Sequence, residues 1–214
     1  MIVHELKCVY IHIPKTAGVS LVHSMLTSIL GYETAGEIGY LPNNLKCQFE
    51  LRGKQKHKLA RYFVPEDISR GLWNSYYKFT VVRNPWDRVV SEFHWRHSLS
   101  HRKPSSDFKE FILYCKKRID DKTNKANDIY WTHAQTQKSF ITDHDNNIIL
   151  DDIFRFENIT EDVNTIGVKL GITMKLHLYN TSKHTNYKDY YNTETKQMIE
   201  SLYKEDIEEF SYEF

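Results

Sequence analysis

An unbroken apolar run, Cys8-Val9-Tyr10-Ile11-His12-Ile13, stops at Pro14, passes through Lys15-Thr16-Ala17-Gly18, and resumes as an amphipathic helix. The pattern predicts a buried strand over 7–13, a turn over 14–18 and a helix over about 18–30. A buried strand feeding directly into a helix restricts the chain to layered folds in which helices cover a sheet. It restricts the chemistry too. Free backbone N–H groups and the positive end of the helix dipole gather there and attract an anion. Lys15 adds a mobile ammonium, and Thr16 and Ser20 add hydroxyl donors. The segment does not fit the nucleotide-binding pattern G-x-x-x-x-G-K-[ST], because its lysine comes first and no glycine precedes it. Taken alone, it reads equally well as a plain strand-to-helix turn.

A second junction of the same kind lies further on. Tyr76-Tyr77-Lys78-Phe79-Thr80-Val81-Val82 is the clearest strand in the chain. It ends at Arg83-Asn84-Pro85, where Asn84 suits a helix cap and Pro85 the first helical position. The helix that follows is expected to reach about Ser98. Ser91 lies eight residues beyond Arg83, a little over two turns, so the two can share a face and grip a terminal phosphate. Pro65-Glu66-Asp67 reads as the first turn of a short helix. Further helices are expected at about 106–118, 128–138, 158–170 (closing at Gly171) and 193–204, with a β-like run from Ile148 to Phe156. Strands alternating with helices imply an α/β fold with a central, mainly parallel sheet flanked by helices. Ligands of such sheets bind beyond the carboxyl ends of the strands, where Lys15 and Arg83 both fall.

The 214 residues are 40% hydrophobic and 27% charged, enough for one substantial core in a single domain, 1–214. No apolar run approaches membrane-spanning length, and the N-terminus lacks the pattern of a secretory signal. Cys8, Cys47 and Cys115 are too few and too scattered for a disulfide framework or a C-x-x-C metal site, so a reducing cytoplasm is the expected setting. The net charge of +1 hides an asymmetry. Residues 1–110 carry 16 Lys and Arg against 10 Asp and Glu, whereas residues 111–214 carry 13 against 18. The positive excess travels with the anion loop but is too small to imply a nucleic-acid partner.

Together the two junctions carry a resemblance. Ile13-Pro14-Lys15-Thr16-Ala17-Gly18-Val19-Ser20-Leu21 resembles the 5′-phosphosulfate loop of sulfotransferases that use 3′-phosphoadenylyl sulfate (PAPS). Val82-Arg83-Asn84-Pro85-Trp86-Asp87-Arg88-Val89-Val90-Ser91 resembles their 3′-phosphate motif. Arg155-Phe156-Glu157-Asn158, Asn180-Thr181-Ser182-Lys183-His184 and Tyr190-Tyr191 look like the carbohydrate sulfotransferase branch, with its Golgi and bacterial members. The resemblance implies a P-loop-like sulfotransferase fold. It also implies transfer of a sulfuryl group from PAPS, leaving PAP, to a hydroxylated acceptor such as a saccharide, with no metal required. By position, Lys15 would meet the sulfuryl-bearing phosphate. Thr16, Ala17, Gly18, Val19 and Ser20 would hold the 5′-phosphate, Arg83 and Ser91 the 3′-phosphate, and Ser182 and Lys183 a loop closing over the nucleotide. The early first strand departs from Golgi members, which begin with an anchor and stem, and favours a cytoplasmic enzyme.

A hydroxyl acceptor also needs a base. His57, in the basic segment between the two motifs, is the candidate, since its place resembles that of a histidine in bacterial relatives and an imidazole suits the task. Glu50 is its rival. His12 reads as structural. His94, His97 and His101 have a helical spacing that could suggest a metal face, but no carboxylate or cysteine set accompanies them. Lys116-Lys117-Arg118 reads as a solvated helix end or as a steering patch for an anionic glycan. Gln135 and Arg155 fall near the site without a legible role. Two other functions stay open: a P-loop-type kinase, and a non-catalytic binder of nucleotides or anionic glycans. The residues fix neither the acceptor nor the oligomeric state.

Overall fold

A computed structural model describes residues 1–31, 57–64, 67–99, 106–121, 128–176 and 185–214. Its centre is a four-stranded sheet: β1 (Ile2–Val3), β2 (Cys8–Ile11), β3 (Tyr77–Val82) and β4 (Asp152–Arg155), adjacent in that order. β1 pairs antiparallel with β2, and β2, β3 and β4 run parallel. The fold is therefore α/β with a mainly parallel sheet, as the alternating pattern implies. Tyr10 lies opposite Phe79, and Val82 opposite Arg155. Strand alternation divides the apolar residues between two cores. Val9, Ile11, Ile13 and Val82 join one, while Cys8, Tyr10, Phe79 and Val81 join the other.

Helices cover both faces. On the second core lie α1 (Gly18–Leu30) and a later helix, Ile159–Leu170, which stops at left-handed Gly171 (φ 69°). On the first core, α2 (Arg70–Ser75) and α3 (Pro85–His97) precede α4 (Phe108–Asp120), α5 (Ile129–Ala134) and α6 (Gln137–Ile141). The helix 159–170 is then α7, and α8 (Thr193–Leu202) and α9 (Lys204–Glu209) close the chain.

The described elements differ from the sequence expectation at several boundaries, each for a physical reason. The short helix α2 is capped by Ser69, which accepts from the Leu72 N–H; the first turn expected at Pro65-Glu66 lies outside the described residues. The helix expected over 128–138 is two helices. Thr136 caps the second, whose first N–H groups, from Gln137 and Lys138, donate to the Asp206 carboxylate. The run 148–156 joins the sheet only from Asp152, after Asp151 has accepted the Lys78 N–H; Ile148 makes an isolated bridge to Thr142. Beyond the helix expected at 193–204 lies a further one, α9, whose buried Asp206 is that same cap.

Candidate active site

β2 and β3 run in parallel and end side by side, so the Pro14–Ala17 loop and Arg83 emerge at one edge of the sheet. The loop holds two non-glycine residues in left-handed conformations, Lys15 (φ 69°) and Ala17 (φ 62°), each costing about 1–3 kcal/mol. Three donors brace it. The Thr16 hydroxyl donates to the Ile13 carbonyl (3.0 Å), Arg88 Nε to that of Pro14 (3.1 Å), and Arg83 Nη1 to that of Lys15 (3.1 Å). With three successive carbonyls tied back into the protein, the loop acquires the form of an anion-binding nest. α1 follows with no side chain capping its N-terminus at Ala17. Its N-terminus presents the positive end of the helix dipole, a place suited to an anion.

α3 supplies the braces. Arg83 is clamped by Asp87, whose Oδ2 accepts from Nε and lies 2.8 Å from Nη2, and it stacks over Phe156 at 4.0 Å. Gln137 pins the Arg83 backbone at both its N–H and its carbonyl (2.8 Å each). Asp87, Ser91 and Trp95 form one i, i+4 row. Its first member touches Arg83, and its last lies 5.4 Å from the Lys15 ammonium. Ser91 therefore sits, buried, between the two cationic positions. Arg88, 2% exposed, also donates to the carbonyls of His133 (3.0 Å) and Gln135 (2.9 Å).

Beyond the loop lies a cluster of rings and charges. His57 Nδ1 is 2.9 Å from the His12 carbonyl. A carbonyl only accepts, so Nδ1 carries the proton and Nε2 holds a lone pair. The His57 ring meets His12 edgewise at 4.5 Å and His133 at 5.0 Å. His133 stacks on Trp95 at 4.8 Å. Its Nδ1 lies 2.8 Å from Glu92 Oε2, while Arg96 Nε donates to Glu92 Oε1 at 2.6 Å. Burial alone would raise the Glu92 carboxyl, but His133, Arg96 and Lys15 outweigh it and hold it at about 2. Burial also pulls the His133 imidazole below its usual value despite Glu92. His133 is thus a neutral ring donating from Nδ1 to an ionised carboxylate.

The model of the sulfotransferase family matches residues 1–213. The chain belongs to the sulfotransferase family. No curated protein matches it in a sequence comparison.

In this sulfotransferase, the described positions singled out in the sequence gather at one edge: Lys15 through Ser20, Arg83, Ser91 and His57. Thr16 is fully buried with its hydroxyl spent on Ile13, so what it has left for a ligand is its backbone N–H. Ser182, Lys183, His184, Glu50 and His101 lie outside the described residues. His94 bonds the Tyr190 hydroxyl (2.8 Å) and His97 the Phe93 carbonyl (2.8 Å), and the described residues contain no metal-holding cluster. Arg155 serves the fold, donating to the Phe210 carbonyl and stacking on Tyr212. Gln135 lends its carbonyl to Arg88, and Lys116 makes an exposed pair with Asp120. Among the described residues no helix is long and apolar enough to cross a membrane.

Sequence reasoning missed Asp87, Arg88, Glu92 and His133. The signal was present as alternating charges at i, i+4 along α3: Arg88, Glu92, Arg96. Such a stripe ordinarily marks a solvated face. Here all three are at most 3% exposed.

Proposed function

We propose that this protein is a cytoplasmic, single-domain enzyme that moves a sulfuryl group from PAPS to a hydroxyl of an acceptor, with a saccharide as the acceptor class. The observation that carries the reading is a continuous chain of contacts: Lys15 against Trp95, Trp95 against His133, His133 against His57. A cation able to stabilise a leaving group and an imidazole able to take a proton thereby share one small site. The residues fit a phosphate-bearing nucleotide. The uncapped α1 terminus and the nest suit the 5′-phosphosulfate, with Lys15 through Ser20 as its holders, and Arg83 with Ser91 suits the 3′-phosphate. Ser182 and Lys183 carry over from the motif resemblance, as does the saccharide. The buried free thiols of Cys8 and Cys115 suit a reducing compartment.

PAPS supplies an activated sulfuryl group on a phosphosulfate bond. His57 Nε2 takes the proton of the acceptor hydroxyl as that oxygen bonds to sulfur. The bond from sulfur to the bridging oxygen breaks, its electron pair stays with the phosphate, and the Lys15 ammonium meets the developing charge. His12 holds His57 in the basic tautomer through its backbone carbonyl.

Calorimetry with PAP and transfer of labelled sulfate from PAPS to a glycan panel test the reading. The wild-type protein should bind PAP and label at least one glycan. His57→Ala should bind PAP as tightly yet lose about 10²–10⁴-fold in kcat. Lys15→Ala should lose about 10²–10³-fold in kcat, the scale of one transition-state donor. PAP binding without turnover on any acceptor would make the protein a binder, and Mg-ATP binding without affinity for PAP would make it a kinase-like enzyme. An unchanged rate in His57→Ala would remove His57 as the base.

A further inference from the structure

The reaction just proposed leaves two buried polar groups without a task, Glu92 and His133. They come from different helices, α3 and α5, and are 3% and 6% exposed. Burying a carboxylate and an imidazole is costly where an apolar pair would pack. Part of that cost is uncompensated, because the buried Nε2 of His133 has no hydrogen-bond partner among the described residues. The pair nevertheless has the geometry of a carboxylate orienting a histidine, with Nδ1 committed to Glu92 and the ring standing perpendicular (88°) to that of His57.

Charge gives the arrangement a purpose. His57 meets the rings of His12 and His133. The His133 ring in turn lies in the field of Glu92 and Arg96 from α3 and of Lys15 from the loop, and Arg88 holds its carbonyl. Beside His57 in the chain, Lys58 pairs with Asp67 at 2.6 Å. Of the charges acting on His133, that of Glu92 is the negative one, and it favours a positive charge on the neighbouring imidazole, which Lys15 and Arg96 oppose.

Resting on the reading of His57 as base, we propose that Glu92 and His133 are positioning residues for sulfuryl transfer. Glu92 locks the His133 ring against His57 and supplies the negative charge that supports the imidazolium formed when His57 takes the acceptor's proton.

The test is an NMR titration of the labelled imidazoles in the intact protein, with His57→Gln assigning the His57 signal, alongside PAP calorimetry and kcat against pH. In Glu92→Gln the His57 midpoint should fall by about one pH unit, the order expected for losing one charge an imidazole's width away. The acid limb of kcat should move down with it, the plateau should drop at least about tenfold, and PAP should bind as well or more tightly. Glu92→Asp should recover part of the midpoint. A folded Glu92→Gln protein with an unmoved His57 midpoint overturns the proposal. If that variant does not fold, His133→Gln decides by the same readouts, since it keeps a donor for Glu92 but withdraws the ring; an unmoved midpoint and kcat there overturn it equally. Failure of the sulfotransferase chemistry itself would appear differently, as wild-type protein that does not bind PAP while the Glu92-dependent shift of His57 persists.

Discussion

Replacing Gly18 with alanine places one methyl group where the site is most crowded. An ideal Cβ at Gly18 would lie 2.0 Å from His12 Cδ2 and 2.1 Å from Nε2, whereas ordinary contact begins at 3.4 Å. The His12 ring must therefore withdraw by about 1.4 Å, in the range that overpacking studies find costly. It has little room to do so. His12 is 3% exposed, stacked on Tyr10 at 5.7 Å and edge-on to His57 at 4.5 Å. Overpacking costs about 1–3 kcal/mol. Gly18 is the first residue of α1, outside the helix interior where alanine gains over glycine. The loss is therefore about 1–3 kcal/mol, or a fall in Tm of about 2–12 °C for a chain of this size.

The functional loss should exceed the stability loss, because the His12 carbonyl holds the His57 tautomer. Calorimetric melting, PAP binding and sulfate transfer should be measured for Gly18→Ala, His12→Ala and the pair. Removing the His12 ring opens the space the methyl needs, so the double variant should be more stable than the sum of the singles by about 1 kcal/mol. A Gly18→Ala protein that melts within about 1 °C of wild type, with strictly additive singles, would refute the steric argument.

Arg88→Lys should destabilise by about 1–3 kcal/mol in urea melts, since one ammonium cannot replace a guanidinium serving three carbonyls. It should also weaken PAP binding, because the Pro14 carbonyl loses its brace. Asp206 is fully buried, and burial lifts its carboxyl to about 6 even though two N–H groups donate to it. Its folded value lies above the ordinary 3.8, so its stability contribution is complete below that value and is lost as pH rises through about 6. Relative to Asp206→Asn, the wild-type Tm should therefore fall between about pH 4 and pH 6. Glu92, held at about 2, has the opposite sign: its contribution is present above the ordinary 4.5 and is lost as pH falls toward 2. Glu92→Gln should flatten the acid side of the same profile.

The parts of this site that were legible in the sequence are the ones built locally. A strand that ends in Pro14 and turns through Lys15 to Gly18 contains its own instructions, as does a strand that ends in Arg83-Asn84-Pro85, where Asn84 caps α3 as expected by accepting from the Trp86 N–H. The helix boundaries that shifted depend on partners elsewhere, above all Asp206, which caps α6 from about 70 residues away in the chain. Glu92 and His133 stayed hidden for the same reason. Nothing within one turn of either residue names the other, and a Glu-Arg pair at i, i+4 looks identical whether water or protein covers it. What separates the two cases lies in the surroundings: Arg96 is enclosed by the rings of Phe111, Tyr114 and Tyr130, contributed by α4 and α5. Two aromatic-rich helices following a helix of alternating charge provide the apolar cover that such charges need to be buried. Charges so covered cannot act as solvated surface, and with Glu92 held between Arg96 and His133 against the His57 ring, the stripe on α3 faces the candidate catalytic cluster.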